Sequence, residues 1–161
     1  MPYILFGFPL IFIGEAIRMY AVRYAGGVTR TMNVGAPELC TIGPYSRTRN
    51  PLYIGNIFIY SGVVFIAGGK FLAPLFLVIL VYFIFQYSMI ISLEEETLKN
   101  IFKEKYEIYC NNVPRLFPRL KPWKNNYYKK PLSLTKVLIT EKRTLQNMIL
   151  IVLLILLKNY F

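Results

Sequence analysis

Two short polar blocks hold most of the side chains in this chain that can do chemistry. The first is Arg47-Thr48-Arg49-Asn50-Pro51-Leu52-Tyr53. Asn followed by Pro is a helix-start signal: Asn can cap free N–H groups, and Pro fits the first helical position. A helix start presents unpaired N–H groups and a partial positive charge. With Arg47 and Arg49 beside it, this start suits a small carboxylate or phosphate. The simpler alternative is a capped helix with two arginines against lipid headgroups. The second block opens on Glu94-Glu95-Glu96. Three adjacent acids at the end of an apolar run are costly without partners. Helical spacing predicts one helix from Glu94 to Asn112, with an apolar and aromatic stripe of Leu98, Ile101, Phe102, Tyr106 and Tyr109. Glu94 and Glu95 flank that stripe. Glu96, Asn100, Lys103 and Glu107 face away from it, and Glu95 and Lys99 are spaced for an i,i+4 pair. The block reads either as a solvated amphipathic helix or as the acidic wall of a polar pocket. Pro114 ends it, and Arg115-Leu116-Phe117-Pro118 continues as an extended basic segment.

The rest of the inventory narrows the chemistry. There is no His and no Asp, so all eight acids are Glu. That excludes a Ser-His-Asp triad, a Cys-His pair and an imidazole zinc site. Cys40 and Cys110 form no CxxC pair and read as unpaired, reduced thiols. No metal site is expected.

The elements that must position these blocks are apolar. Of 161 residues, 55% are hydrophobic and only 17% charged, against roughly a quarter charged in a soluble domain. Residues 71–92 are an uncharged run, long enough for the ~20 residues that cross a bilayer core. Residues 52–69 form a second, and Gly68-Gly69-Lys70 turns between them. Residues 3–23 form a first segment, read as a retained membrane helix rather than a cleaved signal peptide. Its Glu15 and Arg18 lie one turn apart, as a mutual pair near the membrane edge would. Residues 145–157 are short for a full span. The expected fold is all-α: a polytopic membrane protein of about four transmembrane helices with a cofactor pocket at the cytoplasmic face. One domain covers 1–161, with a core over 18–120 and an extra C-terminal helix at about 137–158.

Charge sets the orientation. The net charge is +11, and residues 94–144 hold 12 of the 19 basic residues. Arg23, Arg30, Arg47 and Arg49 lie in the segment between the first two runs. The positive-inside rule places both basic segments in the cytoplasm and the N-terminus outside, in the plasma (inner) membrane for a prokaryotic cell. The excess positive charge suits anionic lipid. No nucleic-acid motif accompanies it.

Together the two blocks resemble the membrane-embedded methyltransferases of the isoprenylcysteine carboxyl methyltransferase and phospholipid methyltransferase superfamily. GPYSRTRNPLYIGN, residues 43–56, is similar to its Gly-Pro-Tyr…Arg-His/Asn-Pro-x-Tyr-x-Gly block. EEETLKNIFKEKYEIYCNNVPRLFP, residues 94–118, is similar to its Glu-Glu…Tyr-x-x-Tyr…Val-Pro-Arg block. The resemblance implies S-adenosylmethionine as methyl donor and a lipophilic acceptor: an isoprenylcysteine carboxylate, a phospholipid amine or another small lipid. It implies cofactor contacts from Arg49, Asn50, Pro51, Tyr53, Glu94, Glu95, Tyr106, Tyr109 and Arg115, with Arg49 and Glu94 in the catalytic role. Asn50 stands where many carboxyl methyltransferases carry His, and Asn cannot take a proton. Two further readings are an NADPH-dependent enzyme of the sterol-reductase type and a non-catalytic membrane scaffold.

Overall fold

The computed structural model describes residues 2–26, 38–125 and 127–160. Arg30 and residues 35–37 of the first basic segment lie outside the described residues. Helix α1 is Pro2–Ala25, α2 is Pro51–Ala67, α3 is Leu72–Phe102, α4 is Glu104–Asn112 and α5 is Leu134–Tyr160. A short 3-10 turn, Gly43–Ser46, precedes α2. All the regular structure among the described residues is helical.

Helices α1 and α2 make the closest pair, and glycine decides how close. They run antiparallel, with Gly7 opposite Gly62 and Gly14 opposite Gly55. A Cβ on Gly62 would sit 2.6 Å from the Gly7 carbonyl oxygen, and one on Gly14 would sit 2.6 Å from that of Gly55. Small residues at a seven-residue interval on both helices let the backbones touch, as in membrane helix pairs. The obstruction is backbone and cannot rotate away. Gly62→Val is therefore expected to destabilise the fold by about 1–3 kcal/mol, the usual overpacking range. A lowered thermal midpoint in detergent is the check.

The predicted turn after the second run is present. Gly68 and Gly69 adopt φ of 59° and 98°, a region that favours glycine, and they end α2 after 17 residues. Pro74 falls in the first turn of α3, where its missing N–H is tolerated. Helices α1 and α3 are long and apolar enough to cross a membrane; α2 is apolar but shorter. Along α3, Leu77, Val78, Val81 and Phe85 are each about 60% exposed. A contiguous apolar surface of this kind suits lipid better than water.

The long helix predicted over 94–112 is in fact two. Lys103 adopts φ 48°, breaking the chain between α3 and α4. Its N–H still closes α3 onto the Lys99 carbonyl at 2.9 Å. The break lets α4 fold back, so Lys99 pairs with Glu107 at 3.4 Å instead of taking the expected Glu95 partner. Ile101 leaves the predicted stripe and is exposed, whereas Tyr106, Tyr109 and Val113 form a buried cluster with Leu39, Leu98, Phe102, Cys110 and Trp123.

Candidate active site

The two polar blocks meet. Helix α2 begins at Pro51 as predicted, but the Asn50 side chain does not cap it. Asn50 Nδ2 instead donates to the Arg115 carbonyl at 3.0 Å and lies 3.4 Å from Glu95 Oε1. The strand of chain before α2 is laced to the segment after α4. The Arg49 N–H donates to the Pro114 carbonyl, the Arg119 N–H to that of Arg47, and the Trp123 N–H to that of Ser46, all within 2.9 Å. Thr48 Oγ1 donates to the Arg115 and Leu116 carbonyls at 3.2 and 3.1 Å. Backbone pairing thus carries Arg115 to the start of α2.

Arg49 sits at the centre of this junction. Its Nε donates to Glu95 Oε1 at 3.0 Å, and Nη1 donates to the carbonyls of Cys110 and Val113, both at 3.2 Å. Those carbonyls belong to the C-terminal end of α4, where helix oxygens lack internal partners and a cation is favoured. Glu95 has a second cation: Arg115 Nε lies 3.4 Å from its Oε2. Arg115 also reaches α3, donating from Nη2 to Ser92 Oγ at 2.7 Å.

Glu94, one residue earlier, points elsewhere. Its Oε1 accepts from Tyr53 Oη at 2.7 Å. The Tyr53 ring packs on Tyr87 of α3, with centroids 4.9 Å apart. The three acids therefore divide by role. Glu94 faces α2, Glu95 is held between two arginines, and Glu96 is exposed, as its helical spacing predicts. Glu95, Tyr106 and Cys110 also line an open cleft of about 580 Å³ that continues past Glu96 and Lys99.

The remaining predicted residues are near but not all alike. Tyr109 donates to the Tyr45 carbonyl at 2.7 Å, and its ring lies 6.0 Å from Trp123. Burial raises the Tyr106 and Tyr109 hydroxyls above the ordinary phenol range, so both are neutral donors at pH 7. Burial also pushes the Cys40 thiol up to about 11 and raises that of Cys110. Neither is a ready nucleophile, since the thiolate is the reactive form. Among the described residues, no group of three or more His, Cys, Asp or Glu comes together to hold a metal.

A second polar cluster centres on Arg18, whose partners from α2 and α5 the sequence did not indicate. Arg18 sends its guanidinium across the bundle, from Nη1 to Asn56 Oδ1 at 2.5 Å and from Nη2 to Glu141 Oε2 at 2.8 Å. Glu141, on α5, is fully buried. Nothing in its local sequence, Thr-Glu-Lys-Arg, distinguishes it from a solvated charge run.

The phospholipid methyltransferase family model matches residues 2–105. The chain belongs to that family. The matched segment includes Arg18, Arg49, Asn50, Tyr53, Glu94 and Glu95, and it ends just before Tyr106. Tyr109, Arg115 and Glu141 lie beyond it. The chain is also similar to the nickel-cobalt-cadmium resistance protein NccN of Alcaligenes xylosoxydans xylosoxydans. The two are 31% identical over 103 residues, which is 64% of this chain and 44% of that protein. The chain thus matches less than half the length of that relative. No solved structure matches it. Membership of the phospholipid methyltransferase family makes methyl transfer the expected chemistry and agrees with the apolar α1 and α3.

Proposed function

We propose that the protein is a multi-pass membrane methyltransferase that uses S-adenosylmethionine to methylate a lipophilic acceptor. One observation carries this reading beyond family membership. The Arg49–Asn50–Tyr53 block, the Glu94–Glu95 pair and Arg115 come from distant parts of the chain and converge at one end of α2 and α3. In this reading the basic segments lie on the cytoplasmic side, with α1, α2, α3 and the apolar part of α5 in the membrane.

The donor set fits the cofactor's charges. Bound S-adenosylmethionine supplies an electrophilic methyl carbon on a sulfonium. Arg115, 38% exposed, is the better placed arginine for its carboxylate, because the Arg49 guanidinium is occupied by Glu95 and two carbonyls. Arg49 then acts by holding Glu95 and the end of α4 in place. Glu94 takes one hydrogen bond from Tyr53, which leaves acceptor capacity for an ammonium or a ribose hydroxyl. Tyr53 offers an aromatic face, and a cation near such a face gains ~0.5–2 kcal/mol. An amine acceptor must lose a proton; with no His or Asp in the chain, Glu94 is the carboxylate at hand for it. A carboxylate acceptor is already ionised at pH 7. The protein's main contribution is alignment of the nucleophile, methyl carbon and leaving sulfur.

Calorimetric titration of S-adenosylmethionine into the detergent-solubilised protein tests the reading. Binding is expected, weakened at least ~10-fold by Glu94→Gln and unchanged by Glu96→Gln; a 10-fold change corresponds to about 1.4 kcal/mol. Equal affinity in all three proteins would remove Glu94 from the site. Binding of NADPH without S-adenosylmethionine would overturn the reading.

A further inference from the structure

We infer that Glu141, on the C-terminal helix beyond the family-matched segment, is a positioning residue for the α2–α3 site. The inference rests on the methyltransferase reading for its consequence in catalysis, but its geometry stands separately. Glu141 holds one arm of Arg18 at 2.8 Å, and the other arm holds Asn56 at 2.5 Å. Asn56 lies three residues from Tyr53, on the same side of α2. The Tyr87 ring of α3 packs on that of Tyr53, with centroids 4.9 Å apart. Tyr53 in turn donates to Glu94. The polar chain from α5 through α1 thus meets α2 at Asn56, one turn from the tyrosine that donates to the carboxylate of the site. The Arg18 stem is fixed as well: a Cβ on Gly55 would fall 2.6 Å from Arg18 Cγ, so only glycine there leaves room for it.

A buried ion pair is a poor source of stability. Well-packed apolar residues of similar volume often do as well or better, because both charges lose their water. What the Arg18–Glu141 pair supplies that an apolar pair cannot is direction. A guanidinium has a rigid fork, and Glu141 on one tine sets the angle of the other toward Asn56. Loss of Glu141 removes the partner that orients the guanidinium, and the turn of α2 that carries Asn56 and Tyr53 loses its link to α5.

The test uses the full chain with Glu141→Gln and the apolar double variant Arg18→Met/Glu141→Leu. The double variant removes both charges of the Arg18–Glu141 pair together, and Glu141→Gln provides a second variant that changes α5 alone. In it, amide hydrogen exchange over residues 51–57 is expected to rise about 10-fold, with the middle of α3 unchanged. Methyl transfer is expected to lose about 10-fold in kcat with KM for S-adenosylmethionine within about 2-fold. Glu141→Gln, which keeps an acceptor for Arg18, is expected to restore most of kcat. Faster exchange confined to α5, or wild-type kcat in the double variant, would overturn the inference. Faster exchange over 51–57 in a protein whose wild-type form transfers no methyl group would uphold the positioning and overturn the methyltransferase reading alone.

Discussion

Replacing Glu95 with alanine is expected to cost about 1–3 kcal/mol of stability, below the scale for breaking a fully buried ion pair from one side because the site borders an open cleft. Glu95 accepts from Arg49 at 3.0 Å and faces Arg115 at 3.4 Å, with Asn50 Nδ2 3.4 Å away. The Arg49 and Glu95 side chains are 13% and 19% exposed, so solvent screens the loss only in part. Without the carboxylate, two guanidiniums share one site with no counter-charge. Arg49 also holds the last carbonyls of α4, so its displacement would loosen the Tyr106–Tyr109–Val113 cluster. Glu95→Gln keeps an acceptor for Arg49 but removes the charge, and an intermediate loss is expected. Denaturant unfolding in detergent is the check, and an alanine variant with the wild-type midpoint would show that the junction is held by backbone pairing alone. Arg49→Lys should not rescue function, because an ammonium cannot reproduce the planar fork that spans Glu95 and the two carbonyls.

The second large effect concerns Glu94. Glu94→Gln keeps an acceptor for the Tyr53 hydroxyl, so the fold and the Tyr53–Tyr87 packing should survive. The charge is lost, and with it both the partner for an ammonium and the nearest proton acceptor. General base catalysis contributes typically 10²–10⁴-fold, so methyl transfer to an amine is expected to fall at least about 100-fold. Transfer to an acceptor that is already a carboxylate should keep kcat near wild type and raise KM for S-adenosylmethionine about 10-fold. Whether kcat or KM carries the loss therefore reports the acceptor class. A wild-type rate with Glu94→Gln would exclude both roles.

Much of this was legible in the residues, for identifiable reasons. The helix start at Pro51, the Gly68-Gly69 turn and the outward face of Glu96 are local events, set by one or two residues or by one helical turn. The meeting of the two blocks was legible only through the family pattern. Its physical agent is the backbone lacing of residues 46–49 to 114–123, which no spacing rule reports. The break at Lys103 was not legible, since lysine gives no turn signal; beyond it Tyr106 and Tyr109 pack into a cluster that Trp123, distant in sequence, helps to cover. Asn50 looked like a cap because its type and place suit one; its amide is drawn off by the Arg115 carbonyl, a tertiary partner. Arg49 looked like a ligand contact, and the structure engages it with the protein itself. The reciprocal glycines of α1 and α2 did leave a trace, at seven-residue spacing in each helix. Glu141 left none.

The most direct measurement is transfer of a labelled methyl group from S-adenosylmethionine to a total membrane lipid extract, with the purified protein in detergent or lipid vesicles. The expected result is label in the organic phase that depends on the protein and is reduced at least about 10-fold by Glu94→Gln, while Glu96→Gln transfers at the wild-type rate. A folded protein that binds no S-adenosylmethionine and leaves the lipid phase unlabelled would contradict it.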